Sequence, residues 1–210
     1  MTKGLAGYSN TLPSGELFST AKMKAGLWED KMIYNWNRII NRALFLYTHR
    51  DNITYNLGSA GEVAGRDDIV ERTWKYYYNT PEWHEKIGSS IPGWNTDMST
   101  DEAWSRWLDI HRGQMCFDCS GLIDWCVGYE GIHKYSSWDF AGMKKNESVP
   151  AGCAGSVVWK KGHVELDIGY GACIGIGSYG NTLTLTMLNT RDFTSSHLID
   201  GVDYEGADAR

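Results

Sequence analysis

The residues of this chain best suited to chemistry are a cysteine and a histidine. Cys119 lies in Asp118-Cys119-Ser120-Gly121-Leu122-Ile123-Asp124-Trp125-Cys126-Val127, and His163 lies in Lys161-Gly162-His163-Val164-Glu165-Leu166-Asp167. Asp118 has the side chain of a helix N-cap, and Leu122, Ile123, Cys126 and Val127 recur at the spacing of one helical face. Cys119 is therefore expected in the first turn of a buried helix, where unpaired backbone N–H groups and the positive end of the helix dipole stabilise a thiolate. The same N–H groups can receive the oxygen that becomes negative when a carbonyl carbon is attacked. A thiol nucleophile needs a base, and a histidine distant in sequence can serve if the fold brings it near.

The elements that must position this pair are legible around it. Residues 154–169 read as two strands joined by a Lys160-Lys161-Gly162 turn, with His163 opening the second. Strand alternation puts His163, Glu165 and Asp167 on one face and Val164, Leu166 and Ile168 on the other. Farther on, Gly169, Gly171, Gly175, Gly177 and Gly180 lack the helix start and Lys-Ser or Lys-Thr of a phosphate loop, so they read as hairpin turns and close strand packing. Thr182 to Met187 alternates cleanly and predicts a strand with one buried face. Upstream, Trp28, Met32, Trp36, Ile39, Ile40, Ala43 and Leu44 form the core stripe of a helix expected from Leu27 to Tyr47. Further helices are expected from Asp67 to Tyr78, ending near Pro81, and from Ser99 to His111, where Ser99 and Glu102 have capping-box spacing; Gly88 to Gly93 is a loop.

These residues, in this order, resemble the NlpC/P60 family of papain-like cell-wall cysteine peptidases, in its phage and prophage form. The resemblance lies in Asp118-Cys119-Ser120-Gly121-Leu122, in the approach strand from Pro150 to Trp159, and in Gly162-His163-Val164 running into Asp167-Ile168-Gly169. Thr54-Tyr55-Asn56-Leu57-Gly58 is similar to a degenerate form of the family's Pro-Tyr-x-Trp-Gly-Gly segment, and Ile174 to Gly180 and Met187 to Asp192 resemble the tail of phage members. The resemblance implies an α+β, papain-like fold with N-terminal helices packed on a central antiparallel sheet. It divides the chain into an N-terminal arm (1–26), a single catalytic domain (27–200) with an aromatic-rich helical insertion over 60–115, and a C-terminal tail (201–210) expected to be solvated.

By the same resemblance, Cys119 is the nucleophile and His163 the base of a peptidoglycan hydrolase that cuts an amide of the stem peptide without a cofactor, at the D-glutamyl bond. Tyr55 stands near the thiol, and Asp118 and Ser120 match positions that bind the free amino end of the stem peptide. One departure stands out. The family normally places a His, Glu, Asn or Gln on the strand after the histidine strand to orient the imidazole, and Gly175 falls there. Glu165 and Asp167 share a face with His163, but neighbours on one strand are poorly placed for that hydrogen bond; Asn189 is a distant candidate. A catalytically silent wall-binding or phage structural module is therefore a second reading, and an N-acetylmuramoyl-L-alanine amidase on the same scaffold a third.

Composition narrows the partners. Asp and Glu number 26 against 20 Lys and Arg, for a net charge of -6, and no basic stripe favours nucleic acid. No apolar run is long enough to span a membrane, and the first residues lack the apolar core of a secretory signal. Synthesis in the cytosol, followed by action on the wall after phage lysis, from a virion or by injection, is the expected route. Five cysteines make no disulfide framework. Cys116 and Cys119 have redox-pair spacing without the preceding strand and βαβ pattern, Cys153 and Cys173 stand alone so that no metal site is expected, and Cys126 and Cys173 read as small buried apolar residues. His49, His84, His111, His133 and His197 read as structural. The insertion is expected to wall the active-site cleft; of Trp74, Trp83, Trp94, Trp104 and Trp107, each is expected to fill a small helical core, with stacking on sugar or peptide as the alternative for some of them.

Overall fold

The computed structural model describes residues 34–146 and 153–207. The expected arm, the start of the first helix with Trp28 and Met32, and Pro150 lie outside the described residues. Helix α1 spans Trp36–Thr48, capped by the Asn35 side chain, which accepts from the Arg38 N–H. It buries Trp36, Ile39, Ile40, Ala43 and Leu46. Leu44, expected in the core stripe, is 36% exposed, and Leu46 takes the inward place.

Strands β1 (Ile53–Tyr55) and β2 (Ala60–Val63) lead into helices α2 (Asp68–Tyr78), α3 (Pro81–Gly88) and α4 (Thr100–His111), and β3 (Met115–Phe117) follows. Helix α2 ends at Tyr78, short of Pro81 as expected; Pro81 also opens α3, which was not expected, because at the first helical position its missing N–H costs nothing and its fixed φ suits the helix. Ser99 caps α4 by accepting from the Glu102 N–H. The aromatic rings of this region do form a core: Trp74, Tyr78 and Trp107 are buried, with Trp74 stacked on Tyr78 at 4.9 Å and Trp104 on Trp107 at 5.2 Å.

Helix α5 (Cys119–Val127) is buried at every residue, and α6 (Ser137–Gly142) opens with a Ser136–Asp139 capping box. The remaining strands are β4 (Lys145–Asn146), β5 (Val157–Lys160), β6 (His163–Gly169), β7 (Ala172–Gly175), β8 (Thr184–Met187) and β9 (Ser195–His197). They form one antiparallel sheet in the order β4-β9-β5-β6-β7-β8, while β1, β3 and β2 form a small sheet in which β1 runs parallel to β3. The architecture is α+β, with helices against a central antiparallel sheet: α5 packs on β6 and α1 packs on α5.

Two expectations about this sheet and the chain end are corrected. Strand β8 carries its apolar residues outward, with Leu185 40% and Met187 46% exposed, because it is the sheet's edge strand. Residues 201–207, part of the expected tail, are not free of the domain. Asp203 bridges to Asn35, the Tyr204 hydroxyl donates to the Gly155 carbonyl, and Ala207 is buried, so this segment packs beside the start of α1.

Candidate active site

Helix α5 begins where sequence places it. The Asp118 carboxylate accepts from the Gly121 N–H at 2.7 Å, and Gly128 closes the helix in the left-handed conformation at φ 117°. Tyr55 pairs with Phe117 across β1 and β3, the Asn56 N–H donates to the Phe117 carbonyl, and the Asp118 N–H donates to the Ser59 carbonyl. Residues 55–59 therefore run alongside 117–121. A Cβ on Gly121 would fall 2.9 Å from the Ser59 carbonyl carbon and 3.0 Å from the Ala60 Cα, so glycine is what lets this helix start approach the neighbouring backbone.

That approach brings Tyr55 to Cys119. The Tyr55 ring is buried and meets Tyr179 edge-on at 5.1 Å. Burial raises the phenol's pKa, and the nearby Asp118 and Cys119 add to the rise, so the hydroxyl is a proton donor throughout the physiological range. The Tyr179 hydroxyl in turn donates to the Asn56 side chain and accepts from the Leu57 N–H, each at 3.2 Å, which fixes the turn after Tyr55.

Cys119 is 8% exposed. Burial pushes its thiol up to about 12 and the Asp118 charge adds to this, while the N–H groups of Val164, Ser120 and Cys119 itself pull the other way and are outweighed. Burial thus works against the thiolate that the helix start favours, which is why the thiol needs a base to take its proton.

Its position explains the Val164 contact. Asp167 exchanges backbone hydrogen bonds with Gly155 and Ser156, just ahead of β5, so on alternation the Val164 N–H faces the β7 side, yet β6 and β7 pair only from Leu166–Ile174 onward. Cys119 meets β6 at the edge left open there. His163 is the adjacent residue. No hydrogen bond joins the thiol to the imidazole in this structure. The His163 ring lies parallel to Phe193, with centroids 6.4 Å apart and planes 16° apart, and its Nε2 is 3.1 Å from Glu165 Oε1.

The Glu165 bond overturns the expectation that strand neighbours are badly placed for it. Glu165 is 1% exposed. Its Oε1 also accepts from Arg191 Nη2 at 2.9 Å, and its Oε2 accepts from the Cys173 thiol at 2.9 Å and from the Thr186 hydroxyl at 3.3 Å. Burial acts to raise the carboxyl's pKa, but the hydrogen bonds from His163 and Cys173 and the Arg191 charge outweigh it and hold it below the usual range. Asn189 is exposed and makes no bond to His163.

Asp118 is more fully engaged than the resemblance implies. Besides Gly121, it accepts from the Gly58 N–H at 2.8 Å, from the Ser120 hydroxyl at 3.0 Å and from His133 Nε2 at 2.8 Å. His133, read from sequence as structural, thus stands over the carboxylate assigned to the substrate's amino end. Burial works against its charge, but the Asp118 hydrogen bond and charge, with Asp124 and Glu62 nearby, raise its pKa overall. Asp124, buried beneath it, is raised by burial to about 7 although it accepts from the Lys134 and Tyr135 N–H groups. No spacing in the sequence points to His133, which lies in an irregular loop.

All five cysteines are free, and Cys116 is buried within β3. Among the described residues, no group of three or more His, Cys, Asp or Glu side chains is placed to hold a metal ion, and no helix is long and apolar enough to cross a membrane.

No protein-family profile matches this chain, and no curated protein does. Among solved structures, the chain is similar to a mutated form of the resuscitation promoting factor interacting protein RipA. The two are 20% identical, the match covers 80% of this chain and 83% of that one, and the TM-score is 0.34.

Proposed function

We propose that this protein is a peptidoglycan hydrolase that cleaves an amide bond of the stem peptide, with Cys119 as nucleophile and His163 as general base. The observation that carries the reading is convergence on one strand end: a cysteine at a buried helix start meets β6 at Val164, and the residue beside it is a histidine whose ring is already held. The D-glutamyl bond and delivery by phage lysis, from a virion or by injection are part of the proposal and come from the sequence resemblance.

The chemistry follows from the groups present. Cys119 Sγ attacks the amide carbonyl carbon as its proton passes to His163, a transfer of the kind that contributes about 10²- to 10⁴-fold. The carbonyl oxygen becomes negative and is received by the Cys119 N–H and the Tyr55 hydroxyl; losing one such donor typically costs about 10²- to 10³-fold. The carbon–nitrogen bond breaks as the imidazolium returns the proton to the departing amine. Water, deprotonated by His163, then hydrolyses the thioester and releases the thiol.

A second reading has its own observation. Asp118 is closed by His133 and Ser120, as a binding or structural module that admits no amino end would have it. Digestion of purified peptidoglycan of several chemotypes, with mass spectrometry of the fragments, separates the readings. Cys119-dependent release with a new amino end on the diamino acid supports the endopeptidase, and free stem peptides beginning with L-alanine point to the amidase. Binding without release, unchanged in Cys119→Ala, would refute hydrolysis.

A further inference from the structure

Strands β6 and β7 register so that Leu166 faces Ile174, which makes Glu165 and Gly175 direct cross-strand neighbours on the face that carries His163. A Cβ built on Gly175 would fall 2.7 Å from Glu165 Cδ, with Glu165 Cγ closer still. The Glu165 side chain therefore lies across its neighbour's backbone, in the volume that any side chain at 175 would claim. Its carboxylate does not drift within that volume. Cys173 on β7, Thr186 on β8 and Arg191 beyond β8 all donate to it, and the fourth donor is His163 Nε2.

We propose that Glu165 is the positioning residue of His163, a carboxylate reaching the imidazole from the histidine's own strand through the space that Gly175 leaves open. The proposal rests on the hydrolase reading for its rate effects, but its geometric content stands without it. With Nε2 donating to Glu165, the ring is fixed in the tautomer whose Nδ1 carries a lone pair, and Nδ1 is then the atom available to take the Cys119 proton. Arg191 keeps the carboxylate ionised, so it accepts from the ring and also stabilises the imidazolium formed when the proton arrives.

This differs from an incidental strand contact in what it requires of two positions together. Glu165 can lie flat only while residue 175 has no Cβ, and residue 175 can carry an orienting side chain only if residue 165 has none. The two positions should be interchangeable as a pair and not singly.

The test compares wild type, Glu165→Gln, Glu165→Gly, Gly175→Glu and the exchange variant Glu165→Gly with Gly175→Glu, each checked for native circular dichroism. Two readouts are taken: kcat and KM on soluble stem peptides, and the ¹⁵N shifts of the His163 ring, which report the tautomer. Glu165→Gln keeps the volume and should lower kcat by about 10²- to 10⁴-fold with little change in KM. It should also lose the single Nε2–H tautomer expected of wild type. Glu165→Gly should be comparably impaired, Gly175→Glu alone should be impaired by collision, and the exchange variant should recover at least tenfold over Glu165→Gly.

A Glu165→Gln kcat within threefold of wild type, or an exchange variant no better than Glu165→Gly, overturns the proposal. If wild type cleaves nothing, the hydrolase reading fails separately and the tautomer readout decides: an unchanged Nε2–H tautomer in Glu165→Gln overturns the positioning role, and its loss supports it.

Discussion

Replacing Gly121 by alanine sets two effects of known sign against each other. Gly121 is in the first turn of α5 with an ordinary helical φ, so alanine would by itself favour the helix by about 1 kcal/mol. Against this, the new Cβ would collide with the Ser59 carbonyl oxygen and stand 2.9 Å from its carbon and 3.0 Å from the Ala60 Cα, whereas ordinary contact begins at 3.4 Å. Every obstructing atom is backbone, and the Ser59 carbonyl is tied to the Asp118 N–H at 2.9 Å. The helix start must move clear of that carbonyl and loosen the bond. Overpacking costs about 1–3 kcal/mol and a weakened hydrogen bond about 1 more, which against the helix gain of about 1 leaves a net loss of about 1–3 kcal/mol. Urea unfolding should show a lower midpoint at unchanged m-value, and Tm should fall by roughly 3–10 °C. Gly142→Ala in α6, where a Cβ meets nothing within 4 Å, is the control and should be neutral or slightly stabilising. A Gly121→Ala protein as stable as wild type would refute the reasoning, since propensity would then act unopposed.

Other consequences are equally direct. Burial raises Asp167 to about 6, and only the Gly169 N–H opposes it. A carboxyl raised in the folded state gives stability that is greatest below about pH 4 and falls until about pH 6, so Asp167→Asn should gain about 3 kcal/mol relative to wild type between pH 4 and 7 in urea titrations; a constant difference across that window would refute this. His133 is raised, so its contribution is present below its ordinary value and lost as pH rises through the folded one. His133→Ala should therefore cost more stability at pH 6 than at pH 9, by about 1–3 kcal/mol at the lower pH. Tyr179→Phe removes the hydroxyl between Leu57 and Asn56 and should cost about 1–2 kcal/mol in thermal unfolding. Cys119→Ala should abolish hydrolysis of stem peptides while Cys116→Ala, altering only a core thiol of β3, retains most of it; equal loss in both would contradict the assignment.

What sequence disclosed was what local signals encode. The Asp118 cap, the period of Leu122 to Val127 and the Lys160-Lys161-Gly162 turn each act within a few residues, and α5, β5 and β6 stand where these signals put them. Pro81 announced the end of α2 but not the start of α3, because the same residue that stops one helix suits the first position of the next. Alternation in β8 identified a strand but not whether anything would cover Leu185 and Met187. The two site features that escaped reading, His133 over Asp118 and Glu165 against His163, depend on loop placement and on a glycine across the sheet. Neither dependence is visible along the chain.

The early end of β7 pairing has a consequence for how this sheet can vary. A hydrogen-bond ladder that ran two residues farther would put Ile176 opposite Val164 and take up the N–H that now faces Cys119. Zipping the strands shut would thus tidy the sheet while silencing one of the thiol's donors. Insertions in the Tyr170 turn and β-promoting changes at Gly177 carry that hazard, even though neither touches a reacting group.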